Sequence, residues 1–293
     1  MAAAEEHEGS GAYVLHHLTN LKLDLQTMTV LNPESADYAV RSKMFWVLNL
    51  DSAIFSLLLG FLVMFVFLKA AATARAGKSS GLLNFIEAVI EQTEKQVKEV
   101  FPHANALVVP LALTVFVWVL FMNFMDILPV DLFPQLAKAV GVHHLRIVPT
   151  TDVNITFGLA LTVFGLIIVY NIAFKGPIGF LKEVLSHPFG IWLAPVNLVL
   201  RIVEEVARPV SLALRLFGNL FAGELIFVLI ALLLAQLRTG GFGGVFLSLV
   251  VGFLSNLAWT FFHVLVIPLQ AFVFSVLTVV YLSTAATSHS EDH

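Results

Sequence analysis

Long apolar runs alternate with short polar segments along this chain, and the runs have membrane length. The first fills Ala53–Leu68 and ends at Lys69, whose ammonium can reach the headgroups. With a turn from each flank it spans a bilayer core of about 30 Å. The pattern predicts further spans over about 105–128 and about 153–174, then a long helical region over about 191–237 and a last helix running to about Thr284. The segment over about 82–100 differs. Apolar residues at Phe85, Ile86, Val89, Ile90, Val97 and Val100 are interleaved with Glu and Lys, which predicts an amphipathic helix lying on the membrane surface. A short loop over 175–190 separates the third span from the fourth helix. The glycines of Arg238-Thr-Gly-Gly-Phe-Gly-Gly244 reverse the chain, so 191–284 reads as a helical hairpin. The expected fold class is an all-α polytopic membrane protein, with about five membrane-embedded helices and one amphipathic surface helix. Its segments are an N-terminal stretch 1–49, a membrane domain 50–284 and a hydrophilic tail 285–293.

Composition sharpens this picture. The chain is 58% hydrophobic and 12% charged, against about 25% charged in a soluble domain, and its mean hydropathy is +0.90. The absence of Cys removes disulfides, thiolate metal sites and cysteine nucleophiles together. A net charge of −4 argues against a nucleic-acid surface. The stretch 1–49 is polar and acidic with no apolar core near its start. It does not read as a cleavable signal, and the first membrane helix is expected to direct insertion. Residues 69–103 carry five Lys/Arg and the loop 129–152 carries two. The positive-inside rule therefore makes the first connection cytoplasmic, the N-terminus external and, after five crossings, the C-terminus cytoplasmic.

The polar residues that interrupt the last two helices are the candidates for chemistry. The fourth helix carries Arg201, Glu204, Glu205, Arg208, Arg215, Asn219 and Glu224. Arg201, Arg208 and Arg215 recur every seven residues and lie near one helix face. Glu204 can pair with Arg208 one turn on, and Pro209 is expected to bend the helix. Arg201 and Arg208 fit an interfacial ion-pair network as well as they fit a functional one. Arg215 is the sharpest signal. A charge at the centre of a membrane helix costs about 2.5–3.5 kcal/mol on insertion scales, and guanidinium cannot shed its proton. An interfacial, snorkelling Arg is the bland alternative, but apolar residues continue for about twenty positions beyond it. Glu224 lies nine residues further on, about 13.5 Å along the axis and half a turn round, so it and Arg215 do not form a simple ion pair. A carboxyl in such surroundings can carry protons near neutral pH; an interfacial Glu is the alternative.

The last helix carries Asn256, His263, Gln270, Ser275 and Thr278 among apolar residues. A lone buried His is usually a hydrogen-bonded structural group, but register changes that reading. In an antiparallel hairpin, Glu224 opposite His263 and Arg215 opposite Gln270 fall within two positions of one register. The glycine turn near 241 predicts a register within about a turn of it. Two polar sites are thus expected, displaced along the hairpin. There is no nucleophile triad, HExxH, P-loop or GxGxxG. Gly77-Lys-Ser-Ser80 lacks the upstream glycine, and the adjacent His143 and His144 make a weak metal site. Neither a cofactor nor a metal is expected. A secondary transporter would show internal repeats, and none is clear between the halves. A lipid-acting enzyme would gather its polar groups at one interface, whereas here they spread over the depth of two helices.

Two stretches resemble the signature of subunit a of the bacterial F-type ATP synthase. They are Arg208-Pro-Val-Ser-Leu-Ala-Leu-Arg-Leu-Phe-Gly-Asn-Leu-Phe-Ala-Gly-Glu-Leu-Ile-Phe227 and Phe262-His-Val-Leu-Val-Ile-Pro-Leu-Gln-Ala-Phe-Val-Phe-Ser-Val-Leu-Thr-Val-Val-Tyr-Leu282. Tyr13-Val-Leu-His-His-Leu-Thr-Asn-Leu21, Asn123-Phe-Met-Asp-Ile-Leu-Pro129 and Pro149-Thr-Thr-Asp-Val-Asn154 match as well, in order and over nearly the whole chain. The resemblance implies a non-catalytic, proton-translocating stator subunit of the F0 sector in the bacterial inner membrane. Its hairpin would be long and tilted against a rotating c-ring, and its other partners would be subunit b of the peripheral stalk, the rest of the F1F0 complex and membrane lipid. By the same resemblance Asn123, Asp126, Asp152, Glu224 and His263 line an external half-channel. Arg215 meets the ring carboxylate and separates the two half-channels, with Asn219 and Gln270 hydrogen-bonding near it. Arg201, Glu204, Glu205 and Arg208 are expected at the cytoplasmic half-channel.

Overall fold

A computed structural model describes residues 20–31, 35, 38–42, 44, 46–102, 104–128, 145–186, 188–238 and 240–286. His143, His144 and the tail 287–293 lie outside the described residues. Five helices are long and apolar enough to cross a membrane, so the chain is an all-α, multi-pass membrane protein. In chain order the elements are β1 (Lys22–Asp24), β2 (Thr29–Val30), a single helical turn α1 (Tyr38–Arg41), β3 (Val47–Asn49), α2 (Leu50–Arg75), α3 (Gly81–Val100), α4 (Val108–Phe124), α5 (Val153–Ser186), α6 (Ala194–Arg238) and α7 (Gly241–Ala286). Short 3-10 turns, Met125–Ile127 and Pro149–Thr151, follow α4 and precede α5. In the most apolar windows of α2, α5 and α6 only 22% of residues are buried within the chain, against 44% in α7. Most of the apolar surface is therefore left to lipid or partners, and α7 is the helix most enclosed by protein.

The described residues fall into two units, each described by itself. Unit one comprises residues up to Phe61, Leu120–Asp152 and Gly218–Leu269; unit two comprises Leu62–Val119, Val153–Phe217 and Gln270 onward. Helices α2, α4, α6 and α7 contribute to both.

In unit one the sequence pattern missed a small antiparallel sheet of order β2-β1-β3, in which Leu23 faces Val30 on one side and Leu48 on the other. Strands of two or three residues are too short to show an alternation. Arg41 pairs with Asp24 at 2.6 Å and, with the Gln26 N–H, holds that carboxyl below the usual aspartate range.

In unit two, the amphipathic helix begins at Ser80, whose hydroxyl accepts from the Leu83 N–H at 3.2 Å. Its buried side is Leu83, Ile86, Thr93 and Val97, a seam turned from the expected one, since Phe85 is exposed. The reason is the neighbours. Leu83 and Ile86 meet Ala70 of α2, while Val97 and Phe101 meet Val108 and Ala112 of α4 and Val279 of α7. On the outer side Glu91–Lys95 and Glu94–Lys98 pair one turn apart.

Helix α5 does not stop at 174. It breaks at Gly176 (φ 70°, ψ 161°), a conformation that glycine adopts without strain, and resumes with Pro177 through Ser186. The expected loop 175–190 is therefore mostly helix. The connection to α6 is secured by Asn197, which is fully buried. Its amide donates to the Leu185 and Gly190 carbonyls at 2.9 and 2.8 Å and its oxygen accepts from the Phe189 N–H at 3.2 Å. Asn197→Ala is expected to cost about 2–4 kcal/mol, because buried backbone groups lose their partners. A lower detergent unfolding temperature of the purified complex checks this. Pro209 does not interrupt α6.

Candidate functional site

Unit one gathers five residues singled out from sequence. Asn123, Asp126, Asp152, Glu224 and His263 are all buried. The register of the α6–α7 hairpin places His263. Gly223 lies so close to the imidazole that a Cβ there would sit 2.0 Å from Cε1. The Trp259 Nε1–H donates to the Gly223 carbonyl at 3.2 Å, and Phe227 meets the imidazole edge-on at 5.6 Å. Gly223 with His263, Phe227 with Trp259 and Leu234 with Gly252 all obey one register, the one expected from sequence. His263 Nε2 hydrogen-bonds Asp126, which the 3-10 turn after α4 presents. Asn123, one turn earlier, is wholly buried. Among the described residues its amide atoms and His263 Nδ1 have no protein partner. Buried polar groups of this kind are normally satisfied by water.

Glu224 and His263 thus sit in one unit but are held differently from a direct pair. His263 is bonded to Asp126, and Glu224 forms a buried ion pair with Arg146. Asp152 accepts from the Asn49 amide at 2.9 Å.

Unit two holds the second set. Arg201 pairs with Glu205 at 2.7 Å, Arg208 hydrogen-bonds Glu204 as its spacing predicts, and Arg208 also lies over the Tyr281 ring at 5.5 Å. A cavity of about 560 Å³ is lined by Arg201, Glu204, Arg208, Asn171 and Glu183. Lys175 and Glu183 pair at 2.8 Å across the break at Gly176. The Asn171 side-chain carbonyl oxygen is buried without a hydrogen-bond partner among the described residues.

Arg215 stands apart from both sets. It is exposed, with no ion-pair partner among the described residues, while its helix neighbours Leu212, Ala213 and Leu216 are buried. Ser211, Asn219 and Ala222 are exposed along the same stripe of α6. Gln270 is buried, and among the described residues no ion pair or hydrogen bond joins it to Arg215.

The model for the ATP synthase A chain matches residues 53–283. The chain is 46% identical to ATP synthase subunit a of Thiobacillus denitrificans over 290 residues, covering 99% of this chain and all of that protein. It is 46% identical to ATP synthase subunit a 1 of Methylococcus capsulatus over 98% of this chain and all of that protein, and 47% identical to ATP synthase subunit a of Shewanella amazonensis over 99% and all. The chain belongs to the ATP synthase A chain family. It is accordingly a proton-translocating stator component of F0, part of the F1F0 complex and not itself its catalytic subunit.

Within this family member, sequence reasoning missed Arg146, Asn20, Asp51 and Asn49 in unit one, and Asn171, Lys175 and Glu183 in unit two. All but Asn171 lie at or beyond the ends of the apolar runs, where a polar residue is unremarkable until the fold buries it. The available signals were Asn171 inside the third apolar run, Asn20 in the Tyr13–Leu21 stretch, and Arg146 three residues before the Pro149-Thr-Thr-Asp motif.

Proposed function

We propose that the buried groups of unit one and unit two serve two separate half-channels to a rotating c-ring, with Arg215 as the fixed charge that the ring carboxylates pass. The observation that carries this is Arg215, exposed on a helix long and apolar enough to cross a membrane. A guanidinium in that position needs an anion delivered by a partner. The N-terminus is external and the C-terminus cytoplasmic, in the bacterial inner membrane, and subunit b is the further partner in the stator.

Protons enter from outside through Asn123, Asp126, His263, Asp152 and Glu224; the buried amide atoms of Asn123 and His263 Nδ1, without a protein partner among the described residues, favour a hydrated route. A proton neutralises a ring carboxylate, which then rotates through lipid without the cost of a buried charge. After nearly a full turn the carboxyl releases its proton towards Arg201, Glu204, Glu205 and Arg208, beside the cavity of unit two. Arg215 attracts the deprotonated carboxylate and repels any proton that would pass directly from one route to the other. Asn219 and Gln270 assist it once the ring is in place. Each charge moved through 100 mV supplies about 2.3 kcal/mol, so several steps together drive ATP formation elsewhere in the complex.

Cross-linking tests the geometry. Ser211→Cys and Ala222→Cys lie on the Arg215 stripe; Leu212→Cys is buried beside it. In the assembled complex, oxidation with a cysteine placed next to the ring carboxylate is expected to join the first two to the ring and leave the third unreacted. Equal reaction at all three positions, or none at the stripe, overturns the reading.

A further inference from the structure

The seven residues 146–152 are buried throughout, yet only a 3-10 turn interrupts their irregular course. At their start stands Arg146, 8% exposed. Its guanidinium donates to Glu224, to the Asn20 carbonyl oxygen at 3.1 Å and to the Thr151 hydroxyl at 3.0 Å. Its backbone N–H donates to Asp51 at 3.0 Å. Asp51, 1% exposed, is in turn held by the Leu21 and Ser52 N–H groups at 2.9 and 2.8 Å. The residue is therefore fixed at both ends, by its backbone through α2 and by its side chain through three partners. The other buried titratable groups of this unit have partners of their own: Asp24 with Arg41, Asp126 with His263, and Asp152 with Asn49.

We infer that Arg146 is a positioning residue for proton transfer: the permanent countercharge against which the unloaded Glu224 carboxylate rests in the external half-channel. This inference rests on the role proposed above for Glu224. Three features set Arg146 apart from a structural staple. Its charge cannot be neutralised, so it never competes with Glu224 as a proton carrier. A planar fork allows it to keep its anchors while facing a carboxylate. Among the described residues it is also the one Arg paired with a residue of the external set, since Arg41 pairs with Asp24 in the sheet and Arg201 and Arg208 belong to unit two.

The test is ATP-driven acidification of inverted vesicles carrying the whole complex. Removing one member of a buried pair strands the other charge, whereas removing both does not. Arg146→Gln is expected to reduce pumping about tenfold or more at normal assembly. Arg146→Lys, which keeps the charge, is expected to retain several-fold more activity than Arg146→Gln. Arg146→Gln added to Glu224→Gln is expected to cause no loss beyond that of Glu224→Gln alone, the mark of a coupled pair. Normal pumping by Arg146→Gln beside an impaired Glu224→Gln overturns the inference. So does a Lys variant as poor as the Gln variant, or a double variant whose losses multiply. Normal pumping by Glu224→Gln alone overturns instead the half-channel reading beneath it. If Arg146→Gln does not assemble, assembly of the double variant supports the inference. Failure of both assigns Arg146 to the fold alone and overturns it.

Discussion

Arg215→Ala is expected to abolish ATP-driven proton pumping while leaving the complex assembled. Assembly survives because Arg215 is exposed, while the residues buried on its stretch of α6 are Leu212, Ala213 and Leu216. Pumping does not survive because an apolar helix face gives a passing carboxylate no reason to be charged there. The ring can then slip without exchanging protons. With the soluble motor removed, the same variant is expected to leak protons faster than the unmodified complex, because on the proposed reading the charge of Arg215 is the barrier between the two routes. Vesicle acidification and passive leak, measured on one preparation, check both halves. Undiminished pumping returns Arg215 to an interfacial, snorkelling role. Arg215→Lys keeps a charge but presents a compact, strongly hydrated ammonium in place of the broad guanidinium, and is expected to recover little pumping.

Gly223→Val is expected to reduce pumping about a hundredfold without touching any ionisable group. A Cβ at this position lies 2.0 Å from His263 Cε1 and 2.8 Å from Nδ1. The imidazole is 2% exposed and is bounded by Phe227 and Trp259, so it cannot yield by rotation alone. It has to leave Asp126, and displacements of about 1 Å at a transfer site commonly cost this much. The second substitution separates packing from chemistry. Gly223→Val with His263→Ala is expected to restore the assembled complex to normal yield, because the added methyls fill the space of the ring, but not to restore pumping. Full activity of Gly223→Val alone means that His263 has room the hairpin does not display.

The spans were legible because lipid and protein interiors both demand unbroken apolar runs. Arg215, Glu224 and His263 were legible because each interrupts such a run. The hairpin register was legible from two polar pairs, and Gly223 with His263 together with Leu234 with Gly252 bear it out. Arg146, Asn20 and Asp51 were not. They stand in hydrophilic segments, and only the closing of residues far apart in sequence turns them into buried charges. The outward face of Arg215 and the inward face of Gln270 were equally hidden, since period alone does not say which side of a helix a partner will cover. The continuation of α5 past Gly176 was obscured because glycine followed by proline ordinarily ends a helix.

Asp51 receives the backbone N–H of Leu21, 30 positions earlier, and that of Arg146, 95 positions later. One carboxylate thus waits for two strangers. During synthesis the first membrane helix, with Leu21 before it, emerges long before Arg146 exists. Asp51 therefore lacks one of its donors until then, and Glu224, the partner of Arg146, arrives later still. The tie to Asp51 makes closure of this buried network a late event in the synthesis of the chain.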